Sequence, residues 1–91
     1  MPVVHFEIAG QVQGVGFRWF VREQARALNV AGWVRNLSSG NLEVAASGSE
    51  EGVRALLAAA REGPPEATVK QIINLTPQAS LEFPHPFTIL K

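Results

Sequence analysis

The stretch from residue 10 to residue 18 reads Gly10-Gln11-Val12-Gln13-Gly14-Val15-Gly16-Phe17-Arg18. An apolar, strand-like run ends just before it and an amphipathic helical pattern begins just after it, which predicts a strand-to-helix turn. Glycine residues allow positive φ angles and let a ligand approach the main chain closely. Successive N–H groups can converge in such a turn, and the helix that follows adds the positive end of its dipole. We therefore predict an anion site here.

The position of Arg18 strengthens this hypothesis. A cation in the first turn of a helix opposes the helix dipole, and Arg22 adds a like charge four residues further on. No acidic residue lies between residues 8 and 22 to compensate. A bound anion would remove the conflict. The alternative interpretation is a solvent-facing arginine on an ordinary tight turn.

The composition indicates a small globular domain. The chain has 91 residues, 46% of them hydrophobic, so we expect one folded domain over residues 1–91. Its 8 basic and 8 acidic residues cancel, which argues against a nucleic-acid or anionic-membrane surface. Cysteine is absent, which excludes disulfides and thiol chemistry. With neither a signal-peptide pattern nor a membrane-length apolar run, we expect a cytoplasmic protein and, by default, a monomer.

Two helices and five strands are predicted along the chain. The first helix starts at the turn and ends near Asn29, and the second is capped by Ser49 and stops at a Gly-Pro-Pro sequence. Pro84 and Pro86 restrict the last strand to a short edge segment that starts around Phe87. The four earlier strands are expected at residues 3–9, 32–37, 42–47 and 68–75.

The order of these elements is β-α-β-β-α-β with a short terminal strand. This order is typical of a ferredoxin-like α+β fold, a two-layer sandwich with an antiparallel sheet and two helices on one face. Right-handed crossovers would place the first and third strands at the centre. The residues expected to face the core are Val4, Phe6, Ile8, Phe17, Val21, Ala25, Leu28, Val53, Leu56, Leu57 and Ala60.

Other familiar motifs fail on particular residues. A dinucleotide fingerprint needs a third glycine where Trp19 stands, and a P-loop needs a lysine where Phe17 stands.

His5 and His85 lie far apart in a chain without cysteine, so a metal site is poorly supported, and His5 is expected to be an exposed strand residue. Trp33 could stack a nucleic-acid base, as could Phe6, but packing is the expected role of both.

Asn36 is the polar candidate outside the turn. Asparagine is depleted in strands, yet Asn36 follows the apolar residues Trp33 and Val34. The alternative interpretation is a strand-end residue ahead of the turn at residues 38–41. No nucleophile with an activating base is evident. An anion cradle with one arginine and a few polar side chains suits phosphoryl chemistry, in which positioning and charge stabilisation supply most of the catalysis.

Two stretches resemble the signatures of a known family. Residues 10–18 closely resemble the first signature of the acylphosphatases. The second signature is similar to Gly32-Trp33-Val34-Arg35-Asn36, followed by Gly40 and Gly48. The spacing from Arg18 to Asn36 agrees with the family, as does the chain length. Gln11 stands where many members have arginine and Leu42 where valine is usual, but neither position carries catalytic chemistry in the family.

The resemblance implies hydrolysis of the carboxyl–phosphate bond of small acylphosphates, giving a carboxylate and inorganic phosphate. It implies no metal, no cofactor and no covalent intermediate. By position, Arg18 would bind the phosphoryl oxygens, and Asn36 would hold the attacking water. The substrate's own phosphate would accept the water's proton. The main-chain N–H groups that would bind phosphate with Arg18 belong to Gln13, Gly14, Val15, Gly16, Phe17 and Arg18.

The partners expected from this resemblance are a small-molecule acylphosphate and inorganic phosphate, the latter as product and competitive inhibitor. No nucleic-acid or membrane partner is expected. A different class of function stays open: a non-catalytic module on the same fold that binds phosphate or recognises a partner. In that case the cradle would explain binding, and only Asn36 argues for turnover. RNA binding is a third, weaker possibility.

Overall fold

The computed structural model describes residues 2–90, and all the predicted elements are present within them. The first strand runs on to Gln11, two residues beyond the predicted end, and brings the chain directly to the glycine-rich turn. The elements are β1 (Val3–Gln11), α1 (Phe17–Ala27), β2 (Ala31–Asn36), β3 (Leu42–Ser47), α2 (Glu50–Glu62), β4 (Thr68–Asn74) and β5 (Thr88–Ile89).

The sheet has the strand order β4-β1-β3-β2-β5, so β1 and β3 are central, as predicted. The first four strands pair antiparallel. The short edge strand β5 instead runs parallel to β2, which makes the whole sheet mixed rather than antiparallel throughout. The reason is the path of the chain: residues 75–87 lead from β4 at one edge to the opposite edge, where β5 runs in the direction opposite to β4.

Both helices pack on one face of this sheet and share one core with it, which confirms the ferredoxin-like fold. The apolar stripe of each helix is buried as its 3.6-residue spacing predicts. From the sheet, alternate residues of β1 and β3 point into the same core. The core includes Phe6, Ile8, Phe17, Val21, Ala25, Val34, Val44, Val53, Leu56, Ala60 and Phe87.

The helix ends follow from local chemistry. Asn29 has a φ of 57°, and its N–H donates to Arg26 O while the N–H of Val30 donates to Ala25 O. This is the Schellman pattern that ends a helix on a left-handed residue, and it confirms the predicted stop. At the start of α2, Ser49 Oγ accepts a hydrogen bond from the N–H of Gly52 at 2.9 Å, as expected for an N-cap.

The sheet face away from the helices carries a polar cluster, and here one expectation is wrong. His5 is not an exposed strand residue: its side chain is 11% exposed, and its Nε2 lies 2.7 Å from Glu43 Oε2. Arg35 Nε donates to the other oxygen of Glu43 at 2.6 Å. The residue sequence alone did not indicate that two neighbouring strands would supply both partners of one carboxylate.

Two aromatic residues considered for base stacking are packed instead, as expected. Phe6 is fully buried and Trp33 is 8% exposed. The Trp33 indole donates from Nε1 to the carbonyl oxygen of Glu82, which lies in the connection that leads to β5. None of the helices in the described part of the chain is both long and apolar enough to cross a bilayer.

Candidate active site

The glycine-rich turn gives the candidate site its main-chain shape. Gly14 and Gly16 both have a φ of 77°, in the left-handed region that side chains other than glycine rarely adopt. Apart from the chain neighbours, a Cβ atom built on either glycine would meet no atom within 4 Å, so conformation rather than crowding favours glycine at both positions. The turn therefore presents bare main chain to any ligand at the start of α1.

The N-terminus of α1 is arranged differently from that of α2. Its N-cap residue is Gly16, so no side chain caps the first N–H groups, and its first turn holds no acidic residue. Glu50 and Glu51 occupy the first turn of α2 beneath the Ser49 cap. Hence α1 keeps N–H donors and the positive end of its dipole available, as an anion site requires.

Arg18 stands in this first turn without a compensating carboxylate. None of the ion pairs found among residues 2–90 includes Arg18, whereas Arg22, one turn further on, pairs with Glu23 at 3.1 Å. The Arg18 side chain is partly buried and lines the pocket described below. Its charge therefore adds to the end of α1 at which the helix dipole is already positive.

Asn36 reaches the same place from a different strand. β1 and β2 both pair antiparallel with β3, so the two strands run in the same direction and their carboxyl-terminal ends lie at the same end of the sheet. Asn36 is the last residue of β2, where it pairs with Leu42 at the start of β3. The β1-to-α1 turn and the last residue of β2 therefore lie at the same end of the sheet.

A pocket of about 210 Å³ lies at this end of the sheet, and both candidate side chains line it. Arg18 and Asn36 both line it, along with the two glycines of the turn. The other lining residues are apolar: Val12, Phe17, Trp19 and Ile89. An apolar wall behind a few donors lowers the local dielectric and strengthens their interaction with an anion.

Gln13 joins the turn to the β2–β3 hairpin. Its side-chain Nε2 donates to the carbonyl oxygens of Leu37 at 2.8 Å and Asn41 at 3.0 Å. The side chain of Asn41 in turn donates to Glu7 Oε1 on β1 at 2.9 Å. These bonds fix the hairpin that follows Asn36 against the strand and turn that precede Arg18.

The sequence predicted the turn, Arg18 and Asn36, and the structure brings them to one pocket. It did not predict the side-chain role of Gln13, or that Trp19 and Ile89 line the pocket. No local signal marked Gln13, since its hydrogen-bond partners Leu37 and Asn41 lie far along the chain from it. The catalytic roles of Arg18, Asn36 and the turn stay predictions. Within residues 2–90, no group of three or more His, Cys, Asp or Glu side chains is arranged to hold a metal ion.

Comparison with known proteins points to one family. The sequence model of the acylphosphatase family matches residues 4–89. An acylphosphatase of Thermococcus kodakarensis is 50% identical over 68 residues, which is 75% of this chain and 75% of that protein. An acylphosphatase of Bacillus subtilis is 40% identical over 83 residues, or 91% of this chain and 90% of that one.

Solved structures agree with this family. The crystal structure of acylphosphatase from Bacillus subtilis superposes with a TM-score of 0.85 at 31% identity, covering 100% of both chains. The crystal structure of HypF from T. kodakarensis has a TM-score of 0.78 at 31% identity, and covers 100% of this chain but 12% of its own. The same fold thus occurs both as a chain of this size and as a small part of a much longer one.

Proposed function

Because the chain belongs to the acylphosphatase family, its activity is the hydrolysis of small acylphosphates, and we propose that Arg18 and Asn36 carry this reaction. The observation that supports the assignment is the pocket that these two side chains share with the glycine-rich turn. The family argues against the alternative of a non-catalytic anion-binding module, since its curated relatives are acylphosphatases.

We assign phosphate binding to the turn and to Arg18. The main-chain N–H groups of residues 13–18 would surround the phosphoryl oxygens, and no side-chain cap competes for the first N–H groups of α1. A guanidinium group matches two phosphate oxygens with two parallel N–H donors and keeps its charge at any ordinary pH. Donors that are fixed before the substrate binds stabilise the charge that develops in the transition state. This neutralisation by main chain and arginine is the basis for a reaction without a metal.

Asn36 would orient the attacking water. Its amide offers an acceptor and donors, so it can hold a water molecule in line without changing its own protonation state. The water oxygen forms a bond to phosphorus as the bond between phosphorus and the carboxyl oxygen breaks. The carboxylate leaves with the bonding electrons, and the water's proton passes to a phosphoryl oxygen, giving inorganic phosphate. Because a carboxylate is a good leaving group, no strong general acid is needed.

The test measures phosphate release from acetyl phosphate, corrected for the rate in buffer, by wild type and two variants. Arg18→Gln should lower kcat/KM by a factor on the order of 10³ or more, because the variant loses both charge and bidentate binding. Asn36→Ala should lower kcat by roughly 10²-fold and leave inhibition by phosphate largely intact, because only the water loses its support. Chelators should not change the wild-type rate.

Matched substitutions control for surface effects. Arg54→Gln removes an exposed arginine from α2, and Asn74→Ala removes an exposed asparagine from the end of β4. Both variants should keep the wild-type rate. A folded Arg18→Gln protein with an undiminished rate would contradict the assignment, and so would a strict requirement for an added divalent metal.

The remaining features of the function are also proposals. We infer that the protein acts as a monomeric single domain over residues 1–91, in the cytoplasm, without a nucleic-acid partner. The balanced charge argues against a nucleic-acid partner, and the absence of cysteine argues against a secreted, disulfide-bonded domain. Sedimentation equilibrium and a filter-binding assay with single-stranded RNA at low salt would test the first and last of them.

A further inference from the structure

A second hollow adjoins the candidate active site. It has a volume of about 380 Å³ and shares Gly16 and Trp19 with the pocket that holds Arg18 and Asn36. Its walls come from the turn, from α1 and from the segment that follows α2. The residues that line it are Val15, Gly16, Trp19, Phe20, Pro64, Pro65 and Glu66, and we refer to them as the acyl hollow.

Trp19 gives the acyl hollow an unusual amount of exposed apolar surface. Its side chain is 58% exposed, compared with 36% for Val3 and 37% for Leu90. Indole is a large, rigid surface on which another apolar group can pack. Here the exposed indole forms the boundary between the acyl hollow and the phosphate pocket.

The other walls of the acyl hollow are stiff. Pro64 and Pro65 have fixed φ angles, and the carbonyl oxygen of Pro64 accepts a hydrogen bond from Ala67 at 3.0 Å. The ring of Phe20 packs edge-on against the buried ring of Phe17, with 6.0 Å between centroids. A preformed apolar wall loses little conformational entropy when a ligand binds.

The charge of the acyl hollow is as informative as its shape. Glu66 is its only ionisable residue, and the others are apolar or glycine. A negatively charged ligand group would meet a carboxylate there and no cation. An uncharged apolar group would instead bury the indole and the proline rings.

Gly16 provides the route between the two sites. It lines both of them, and apart from its two chain neighbours no residue comes within 4 Å of where its Cβ would be. When the N–H donors of the turn hold the phosphoryl group, the oxygen that bridges phosphorus and the acyl carbon would lie near the main chain of the turn. The acyl end of the substrate could then extend over Gly16 towards Trp19, which lines both sites.

We infer that the acyl hollow binds the acyl group of the substrate, and that the enzyme prefers acylphosphates whose acyl group is uncharged and aromatic or aliphatic. This inference rests on the proposed function, because it takes the phosphate to be held by the turn and Arg18. It adds the class of substrate and names Trp19 as the residue that determines specificity.

The first experiment compares kcat/KM for benzoyl phosphate and acetyl phosphate in wild type and in Trp19→Ala. Taking the ratio between the two substrates within each protein, and then between proteins, cancels the difference in their intrinsic reactivity. Trp19→Ala should lower the preference for benzoyl phosphate by roughly five- to tenfold, since the benzoyl ring loses its main packing surface. Val3→Ala, which removes another exposed apolar side chain remote from the site, should leave the preference unchanged.

The second experiment tests the charge of the acyl hollow with succinyl phosphate, whose acyl group carries a carboxylate. Glu66→Gln should raise kcat/KM for succinyl phosphate by roughly two- to fivefold at low ionic strength, and the gain should shrink in salt. Glu51→Gln makes the same change in net charge at the other end of α2, and should have no such effect.

The outcomes separate this inference from the proposed function. If wild type hydrolyses both substrates and Trp19→Ala slows them by the same factor, the acyl hollow is not the acyl site, and the inference is overturned while the proposed function stands. If wild type hydrolyses neither substrate above the buffer rate, both fail. Binding adds a readout independent of turnover: benzyl phosphonate should shift the NMR signal of the Trp19 indole N–H more than methyl phosphonate does, because only the benzyl ring would pack on the indole.

Discussion

The side-chain amide of Gln13 donates a hydrogen bond to the carbonyl oxygen of Leu37 at 2.8 Å, across the gap between the glycine-rich turn and the β2–β3 hairpin. Leu37 directly follows Asn36, so this bond connects the two halves of the candidate site. The hairpin is further held by the N–H of Leu37, which donates to Asn41 O. Gln13 is thus a positioning residue in our interpretation, because its side chain acts on Asn36 through the hairpin.

We expect Gln13→Ala to lower kcat about tenfold while the inhibition constant for phosphate changes by about twofold or less. The main-chain N–H groups of the turn remain, so phosphate binding should persist. The water held by Asn36 should shift, and displacements of about 1 Å in a site can cost up to roughly a hundredfold in rate. Steady-state kinetics with acetyl phosphate, with and without phosphate, measure both quantities.

Gln11→Ala is the matched control for this prediction, because Gln11 is an exposed glutamine at the end of β1, two residues before Gln13. It should behave like wild type. If Gln13→Ala raised the phosphate inhibition constant and KM in parallel and left kcat unchanged, the Gln13 side chain would support the phosphate-binding turn rather than Asn36.

Gly16→Ala should lower the free energy of unfolding by about 1 kcal/mol, because an L-residue is forced into the left-handed region. The methyl group itself has room, so crowding adds nothing to this cost. The hydrolysis rate should fall by more than this loss of stability explains, since any relaxation of φ at residue 16 turns the N–H donors away from the phosphate. Urea unfolding and acetyl phosphate hydrolysis measure the two effects.

A D-alanine at position 16, introduced by chemical synthesis, is the discriminating control. Its Cβ has the opposite chirality, so positive φ is favourable for it, and stability should recover to that of wild type or exceed it. If the D-alanine protein were as unstable as the L-alanine protein, the Cβ atom and not the backbone conformation would be responsible.

Glu43 should give the folded protein a specific sensitivity to acid. Burial alone would raise the pKa of Glu43, but its hydrogen bonds with His5 and Arg35, and their positive charge, outweigh burial and lower the pKa below the ordinary value of 4.5. A carboxyl group with a lowered pKa in the folded state contributes stability that is complete above its unfolded pKa. That contribution is lost as the pH falls through the folded value.

The Glu43→Gln variant should therefore be less stable than wild type by about 1–3 kcal/mol at pH 7, since two charge-assisted bonds lose their acceptor charge. The difference should shrink once the pH falls below about 4.5, where the wild-type carboxyl group begins to take up its proton. Urea unfolding from pH 7 to pH 3 measures it. Glu62→Gln, an exposed position at the end of α2, should show a small difference at every pH. A constant gap between wild type and Glu43→Gln would contradict the pKa argument.

The parts of the fold that the sequence predicted are those governed by local rules. The Ser49 cap, the left-handed Asn29 and the helical stripes are each specified within a few residues, and the structure has all three. The direction of β5 depended on the path of residues 75–87 across the sheet, which no local pattern encodes. The burial of His5 likewise depended on Glu43, a residue on another strand.

The candidate site shows the same division. Arg18 stood out because its charge conflicts with the helix dipole, a local conflict visible in the sequence. Gln13 did not stand out, because its hydrogen-bond partners lie beyond α1 and β2 in the chain. Trp19 was noted only for the motif that it breaks, since its exposure beside the phosphate pocket depends on how α1 packs.

Phosphate should stabilise the folded protein, and the effect should depend on Arg18. A ligand that binds only the folded state adds about 2.7 kcal/mol to the unfolding free energy at a hundred times its Kd. We expect the unfolding free energy of wild type to rise with the logarithm of the phosphate concentration once that concentration exceeds Kd. Sodium chloride at equal ionic strength is the control. Arg18→Gln should gain much less, because it loses the charged fork that holds the anion, whereas Arg54→Gln should gain as wild type does. An equal gain in Arg18→Gln would mean that phosphate stabilises the protein at some other place and that the turn is not its binding site. Because this measurement needs no turnover, it tests phosphate binding by the turn and Arg18 separately from the water that Asn36 would hold.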